Sequence, residues 1–210
     1  MTLEEVPGRD LLRQLLREYN EHPRERERIE WEIHRQFRRT AAVLVVDSSG
    51  FTRNTRASGI VHFLALLERL QRAVIPYIER DGGQYLRAEA DNTFSLFENV
   101  EDAVSCAAEI QRYIEAANEV LPAEEEIYIS IAIGHGSLLV IGTEDVYGDE
   151  MNLACKLGED LAERGEVLLT EAAFQALGES QWKFEEQRFS VSGIQVVAYR
   201  LLWRQGRIAR

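Results

Sequence analysis

Three short stretches of the chain hold residue types that can do chemistry together. The first is "AAVLVVDSSGFT", residues 41–52, where an apolar run ends on Asp47 and passes into the loop Ser48-Ser49-Gly50-Phe51-Thr52. Small residues and a glycine let consecutive backbone N–H groups turn toward one anion. The second is Asp91, at the turn of "QYLRAEADNTFSLFE". Two carboxylates at adjacent strand ends would make a hard-oxygen site, suited to Mg²⁺ or Mn²⁺ carrying a nucleotide's phosphates. The third is "YGDEMNLACKLGEDLAERG", with Asn152 and Lys156 four residues apart. That spacing places an amide and a cation on one helical face, where both approach the same group.

Each residue also has a plainer reading. Asp47 can cap a strand end, Asp91-Asn92 is ordinary turn chemistry, and Lys156 can be a solvated helix lysine. Asp145 can cap the helix that follows it, and Arg87 can pair with Glu89 or Glu98. His135, between glycines, reads as a turn residue. The loop beside Asp47 and the second aspartate favour a metal role for both carboxylates. Asn152 is intrinsically mildly unfavourable inside a helix, which favours a functional reason for it.

The elements that must position these residues follow from periodicity. Residues 1–40 read as a helical N-terminal extension. Leu12, Leu15, Leu16 and Tyr19 share one face, Pro23 interrupts, and Ile29, Ile33 and Phe37 recur at i, i+4. Such helices either cap their own domain or mediate dimerisation or signal transmission. From residue 41 to 210 strands and helices alternate. "AAVLVV" is a buried strand. A long helix follows, with Ile60, Phe63, Leu64, Leu67, Leu70 and Val74 as its stripe and Gly82-Gly83 as its stop. Two strands then flank a turn at Ala90-Asp91-Asn92, and a second long helix stops near Pro122. "IYISIAIGHGSLLVIG" reads as a hairpin turning at Gly134-His135-Gly136. A third helix stops at Gly165, and strand, helix, strand, strand complete the chain. This order predicts an α/β (α+β) fold, a ferredoxin-like βαββαβ sandwich with additions at its end.

Composition bounds the function. The chain has 210 residues, 45% of them apolar, enough for one real core with an extension. A net charge of −12 argues against nucleic-acid binding, which needs a basic face. No apolar run reaches the length of a membrane span. The acidic opening "MTLEEVPGRD" is unlike a secretory signal, and Cys106 and Cys155 form no disulfide or zinc pattern, so a cytoplasmic location is expected.

The succession "VLVVDSSGFT", "DGGQYLRAEADNTFSLFE", "DVYGDEMNLACKLGEDLAERGEVLLTEAAFQAL" resembles the class III nucleotide cyclase catalytic domain, the family of most adenylate and guanylate cyclases. The resemblance covers roughly residues 41 to 203. It implies that Asp47 and Asp91 bind two Mg²⁺ or Mn²⁺ ions together with the Ser48 carbonyl. Ser49, Gly50, Phe51 and Thr52 would form the phosphate loop. Asn152 would orient the ribose, and Lys156 stands where an arginine usually stabilises the transition state. Arg87 stands at a base-selecting lysine, and Asp145 matches an aspartate that accepts from the adenine amino group. It further implies a homodimer with each site at the interface. One chain would supply metals and phosphates, and the other Asn152 and Lys156.

The sequence departs from the family at several of these points. An arginine fork at 87 suits a carbonyl-rich or bidentate partner, and Lys156 keeps the charge but loses the fork. "AEADNT" adds Glu89 and lacks the family's glycines. The expected function is conversion of a nucleoside triphosphate to a 3′,5′-cyclic nucleotide and pyrophosphate for second-messenger signalling, with the base, purine or pyrimidine, open. The alternative is a catalytically silent cyclase-homology module that binds a nucleotide or dimerises. A diguanylate cyclase or polymerase palm shares the core order, but the "GG[DE]EF" signature is absent.

Overall fold

The computed structural model describes residues 6–48, 59–191 and 194–205. Ser49, Gly50, Phe51 and Thr52 lie outside those residues. The architecture is built around strand β1 (Arg38–Ser48), which pairs antiparallel with β3 (Asn92–Phe97) on one side and β4 (Ile129–Ile141) on the other. Side chains on a strand alternate between faces. Ala42, Leu44 and Val46 enter one core with helices α3 (Ile60–Arg80) and α4 (Val100–Asn118). Ala41, Val43 and Val45 enter a second core with α1 (Arg9–Glu21), α2 (Arg26–Phe37) and α5 (Asp149–Lys156). Both faces are covered, which is why residues 41–46 form an unbroken apolar run rather than an alternating one.

The sheet runs β2 (Gln84–Glu89), β3, β1, β4, β6 (Val167–Thr170), β8 (Ile194–Leu201), β7 (Phe184–Val191), with β5 (Asp145–Tyr147) paired to β4 off this path. The first four strands are antiparallel neighbours, and with α3 and α4 they form the expected ferredoxin-like core. β6 then joins β4 in parallel, followed by α6 (Glu171–Leu177) and the β7–β8 hairpin. α4 opens on an Asn99 cap that accepts from the Asp102 N–H at 2.9 Å, worth about 1 kcal/mol.

Several sequence expectations are corrected. Residues 129–141 form one strand rather than a hairpin. Gly134 and Gly136 are there for close approach: a Cβ on Gly134 would meet the Glu150 carbonyl oxygen at 2.6 Å, and one on Gly136 the Glu150 Cγ at 2.9 Å. The two glycines therefore let α5 settle onto β4, and His135 is a strand residue. The α3 stripe consists of Phe63, Leu66, Leu67, Leu70, Val74 and Ile78, whereas Ile60 and Leu64 are exposed. Leu16 is likewise exposed, while Leu15, Ile29, Ile33 and Phe37 are buried against the sheet. α4 ends at Asn118, short of Pro122. The third helix leaves α geometry after Lys156 and continues as a π-turn, Leu157–Leu161, with the Ala162 N–H donating to the Leu157 carbonyl at 2.8 Å. Asn92 belongs to β3, which leaves Ala90-Asp91 as a two-residue turn. Ala90 has φ of 52°, a left-handed conformation at one of the positions where the family has glycine.

Candidate functional site

Asp47 is the penultimate residue of β1, half-buried, facing Asn92 of β3 and Ser130 of β4 in register. The Ser130 hydroxyl, with one proton to donate, lies 3.5 Å from Oδ2 and 3.0 Å from the Gly158 carbonyl. Burial pushes the Asp47 carboxyl up to about 7, with Asp91 and then Glu159 adding to the effect and Ser130 opposing it. Asp91, in the β2–β3 turn, is also raised by burial. Among the described residues, neither aspartate has an ion-pair partner. Ser48 ends β1 beside them.

Crowded carboxylates without a cation favour a hard divalent ion. Among the described residues no three His, Cys, Asp or Glu side chains converge to hold one. Two carboxylates with an adjacent backbone carbonyl fit the way Mg²⁺ is usually bound, by one or two carboxylates plus substrate phosphates. The residues present therefore fit the group that the resemblance implies.

A second group of candidates surrounds an open cavity of about 440 Å³, lined by Arg87, Phe94, Val146, Tyr147, Asn152 and Glu159 among others. Arg87, on β2, donates to Glu89 at 2.8 Å, approaches Asp145 at 3.4 Å and lies over the Phe94 ring at 4.7 Å. The expected Glu89 pairing is thus present, and it coexists with a place in the cavity wall. Asp145 is in β5, not at a helix cap; the residue preceding α5 is Gly148, with no side-chain cap. Asn152 is exposed on α5 and lines the cavity. Lys156, one turn on, pairs with Asp160 and is not among the lining residues. A larger opening of about 600 Å³ beside α3, lined by His62, Arg69, Arg72 and Glu125, holds none of the candidate residues.

The structure thus groups Asp47 with Asp91, and Arg87 with Asp145 and Asn152. It also adds residues that motif reading missed. Glu150 accepts from the His135 N–H at 3.2 Å and from the Thr170 hydroxyl at 2.6 Å, pinning the first turn of α5 to β4 and β6 and so placing Asn152. Glu159, in the π-turn, accepts from the Asn92 side chain at 3.0 Å and is raised by burial and by Asp160 and Asp91. Arg9 and Tyr147 both contact Asp145. The glycines opposite Glu150 were a visible signal; the others required the fold.

No family model matches the chain. "Putative adenylate cyclase 3" of Rhizobium meliloti (strain 1021) is 28% identical over 134 residues, which are 64% of this chain and 22% of that relative. "Serine/threonine-protein kinase pkn2" of Myxococcus xanthus is 23% identical over 130 residues, 62% of this chain and 15% of that protein. The chain thus spans less than a quarter of the length of either curated relative. Among solved structures, the adenylate/guanylate cyclase/hydrolase from Silicibacter pomeroyi superposes with a TM-score of 0.68 at 25% identity, covering 78% of this chain and 96% of that one. No helix of the described residues is long and apolar enough to cross a membrane. In sequence and in fold, the chain resembles the class III adenylate/guanylate cyclase catalytic domain.

Proposed function

We propose that the chain is a nucleotidyl cyclase that converts a nucleoside triphosphate to a 3′,5′-cyclic nucleotide and pyrophosphate. The observation that carries this reading is the placement of Asp47 beside Asp91, buried enough to push Asp47 up to about 7 and without a protein cation among the described residues. Asp47, Asp91 and the Ser48 carbonyl would hold two Mg²⁺ or Mn²⁺ ions, which when bound supply charge neutralisation and acidify the attacking hydroxyl. The loop 49–52 would hold the phosphates through its N–H groups. Asn152 orients the ribose and Lys156 meets the charge developing at the α-phosphate. The O3′–Pα bond forms as the bond from Pα to the bridging oxygen breaks. Pyrophosphate departs, and the hydroxyl proton passes to solvent.

Asn152 lines the cavity with Arg87, whereas Asp47 and Asp91 do not. The resemblance to the cyclase family supports a homodimer in which one chain supplies the carboxylates and its partner supplies the nucleoside side. The alternative, a silent nucleotide-binding module, is favoured by one observation: the Lys156 ammonium is engaged by Asp160. Incubation with each of the four triphosphates and Mn²⁺, with products identified by mass, separates the two. A cyclic product abolished by Asp47→Ala supports the cyclase; nucleotide binding without product from any base supports the module.

A further inference from the structure

Asp145 is only 7% exposed, and both its carboxylate oxygens have partners within the chain. Oδ1 accepts from the Val146 N–H at 2.9 Å and faces the Arg87 Nη2 at 3.4 Å. Oδ2 accepts from the Arg9 Nη2 at 3.1 Å and from the Tyr147 hydroxyl at 2.8 Å. Three hydrogen bonds and the Arg87 ion pair thus engage both oxygens, and Oδ2 already has two donors. Asp145 is also absent from the lining of the 440 Å³ cavity, while Arg87, Val146 and Tyr147 line it.

Arg9 reaches Asp145 from 136 positions away because the start of α1 is held against the turn between β4 and β5. Val6 is buried in the same cluster as Ile141 and Val146. Gly8 approaches Gly142, where an added Cβ would lie 3.4 Å from the Gly8 Cα. Glu144 accepts from the Arg9 N–H at 3.4 Å and pairs with its Nε at 3.3 Å.

We infer that Arg9 is a positioning residue for base recognition: it occupies Asp145, so that Arg87 rather than Asp145 reads the base. Resting on the cyclase reading above, this assigns the substrate class as nucleotides with a carbonyl where adenine and cytosine carry the exocyclic amino group, namely uracil or guanine. Arg87 keeps N–H donors beyond those given to Glu89 and Asp145, and it is braced over Phe94 within the cavity wall. A guanidinium offers donors and no acceptor, so the exocyclic amino group of adenine or cytosine finds no partner on it, whereas O6 of guanine or O4 of uracil does. Without Arg9 the Asp145 carboxylate, whose chain neighbours Val146 and Tyr147 line the cavity, is released to turn toward it and accept from an amino group.

The test uses the full chain and the four 3′-deoxynucleoside triphosphates with Mn²⁺, which bind but cannot cyclise, with affinities measured by calorimetry. Wild-type protein is expected to bind the uracil and guanine compounds about ten-fold more tightly than the adenine and cytosine ones. Arg9→Ala should cut that ratio about ten-fold, and Arg9→Lys should restore part of it. Arg9→Gln, which keeps a donor and the side-chain bulk, serves if the alanine variant fails to fold. A uniform loss across all four bases, or an unchanged ratio, overturns the role of Arg9 and leaves the cyclase reading standing. Wild-type preference for adenine or cytosine overturns the substrate class. Failure of the wild-type chain to bind any of the four overturns the cyclase reading and this inference together.

Discussion

Asp47 faces Asn92 across the β1–β3 ladder, and this register pair brings the Asp91 carboxylate, one residue back along the chain, up to Asp47. The ladder sets charge against charge at the end of a strand whose preceding six residues are buried. Functional sites that hold unfavourable charge are destabilised in proportion, and the consequences are measurable.

Without a divalent cation, the protein should lose stability as pH rises from about 4 to 7. The unfolded Asp47 ionises near 3.9, whereas the native one is pushed up to about 7. Within that window the native state holds a proton that the unfolded state has released, so raising pH favours unfolding. Partial solvation trims the effect to about 1–2 kcal/mol. Asp47→Asn should therefore melt about 2–6 °C above wild type at pH 8 and level with it at pH 4. A variant less stable than wild type at pH 8 would refute the assigned origin of the shift.

Cation binding should be linked to proton release at the same group. A divalent ion takes the ionised carboxylate, so below pH 7 its affinity should fall by about ten-fold for each pH unit if one proton is displaced. Thermal melts with and without Mn²⁺ at pH 5.5 and pH 8 read this directly. Equal stabilisation at the two pH values would show that Asp47 does not bind the ion.

Gly134→Ala should destabilise the protein by about 1–3 kcal/mol. The new methyl group meets the Glu150 carbonyl at 2.6 Å, and a helix backbone cannot swing aside as a side-chain tip can. Because Asn152 lies two residues beyond Glu150, cyclisation should fall by more than the stability loss explains. Gly158→Ala is the control: its Cβ would meet Ala132 Cβ at 3.5 Å, an ordinary contact, and its melting temperature should stay near wild type.

If the site is shared between two chains, two dead variants should rescue each other. Asp47→Ala lacks the carboxylate side and Asn152→Ala lacks the ribose contact, but a mixed dimer contains one intact site. Equal mixing should restore roughly a quarter of wild-type activity per chain, since half the dimers are mixed and each has one working site of two. No recovery after verified subunit exchange would place both groups in one chain's own site.

Much of the site was legible in the chain itself because its cause is local. A polar residue closing a doubly buried strand, a carboxylate in a two-residue turn, and an amide and a cation one helical turn apart all depend on near neighbours. The βαββαβ order followed from alternating period and stop signals. Errors arose where one sequence signal serves two physical ends. Gly134 and Gly136 read as a turn, yet they sit mid-strand to admit Glu150. Ile60 and Leu64 fit the period of α3 but lie outside its buried arc.

Residue types and spacing by themselves thus determined the strand-end carboxylates, the Asn152–Lys156 face and the core order, because periodicity and turn chemistry act over a few residues. Only the tertiary structure decided the environment of those groups. The elevation of Asp47 comes from burial and from Asp91 and Glu159, which reach it through sheet register and a π-turn. The engagement of Asp145 by Arg9 crosses 136 positions and comes from packing of the N-terminal helix. Charge and hydrogen bonding depend on distance in space, and no spacing along the chain encodes a contact that only the packed fold creates.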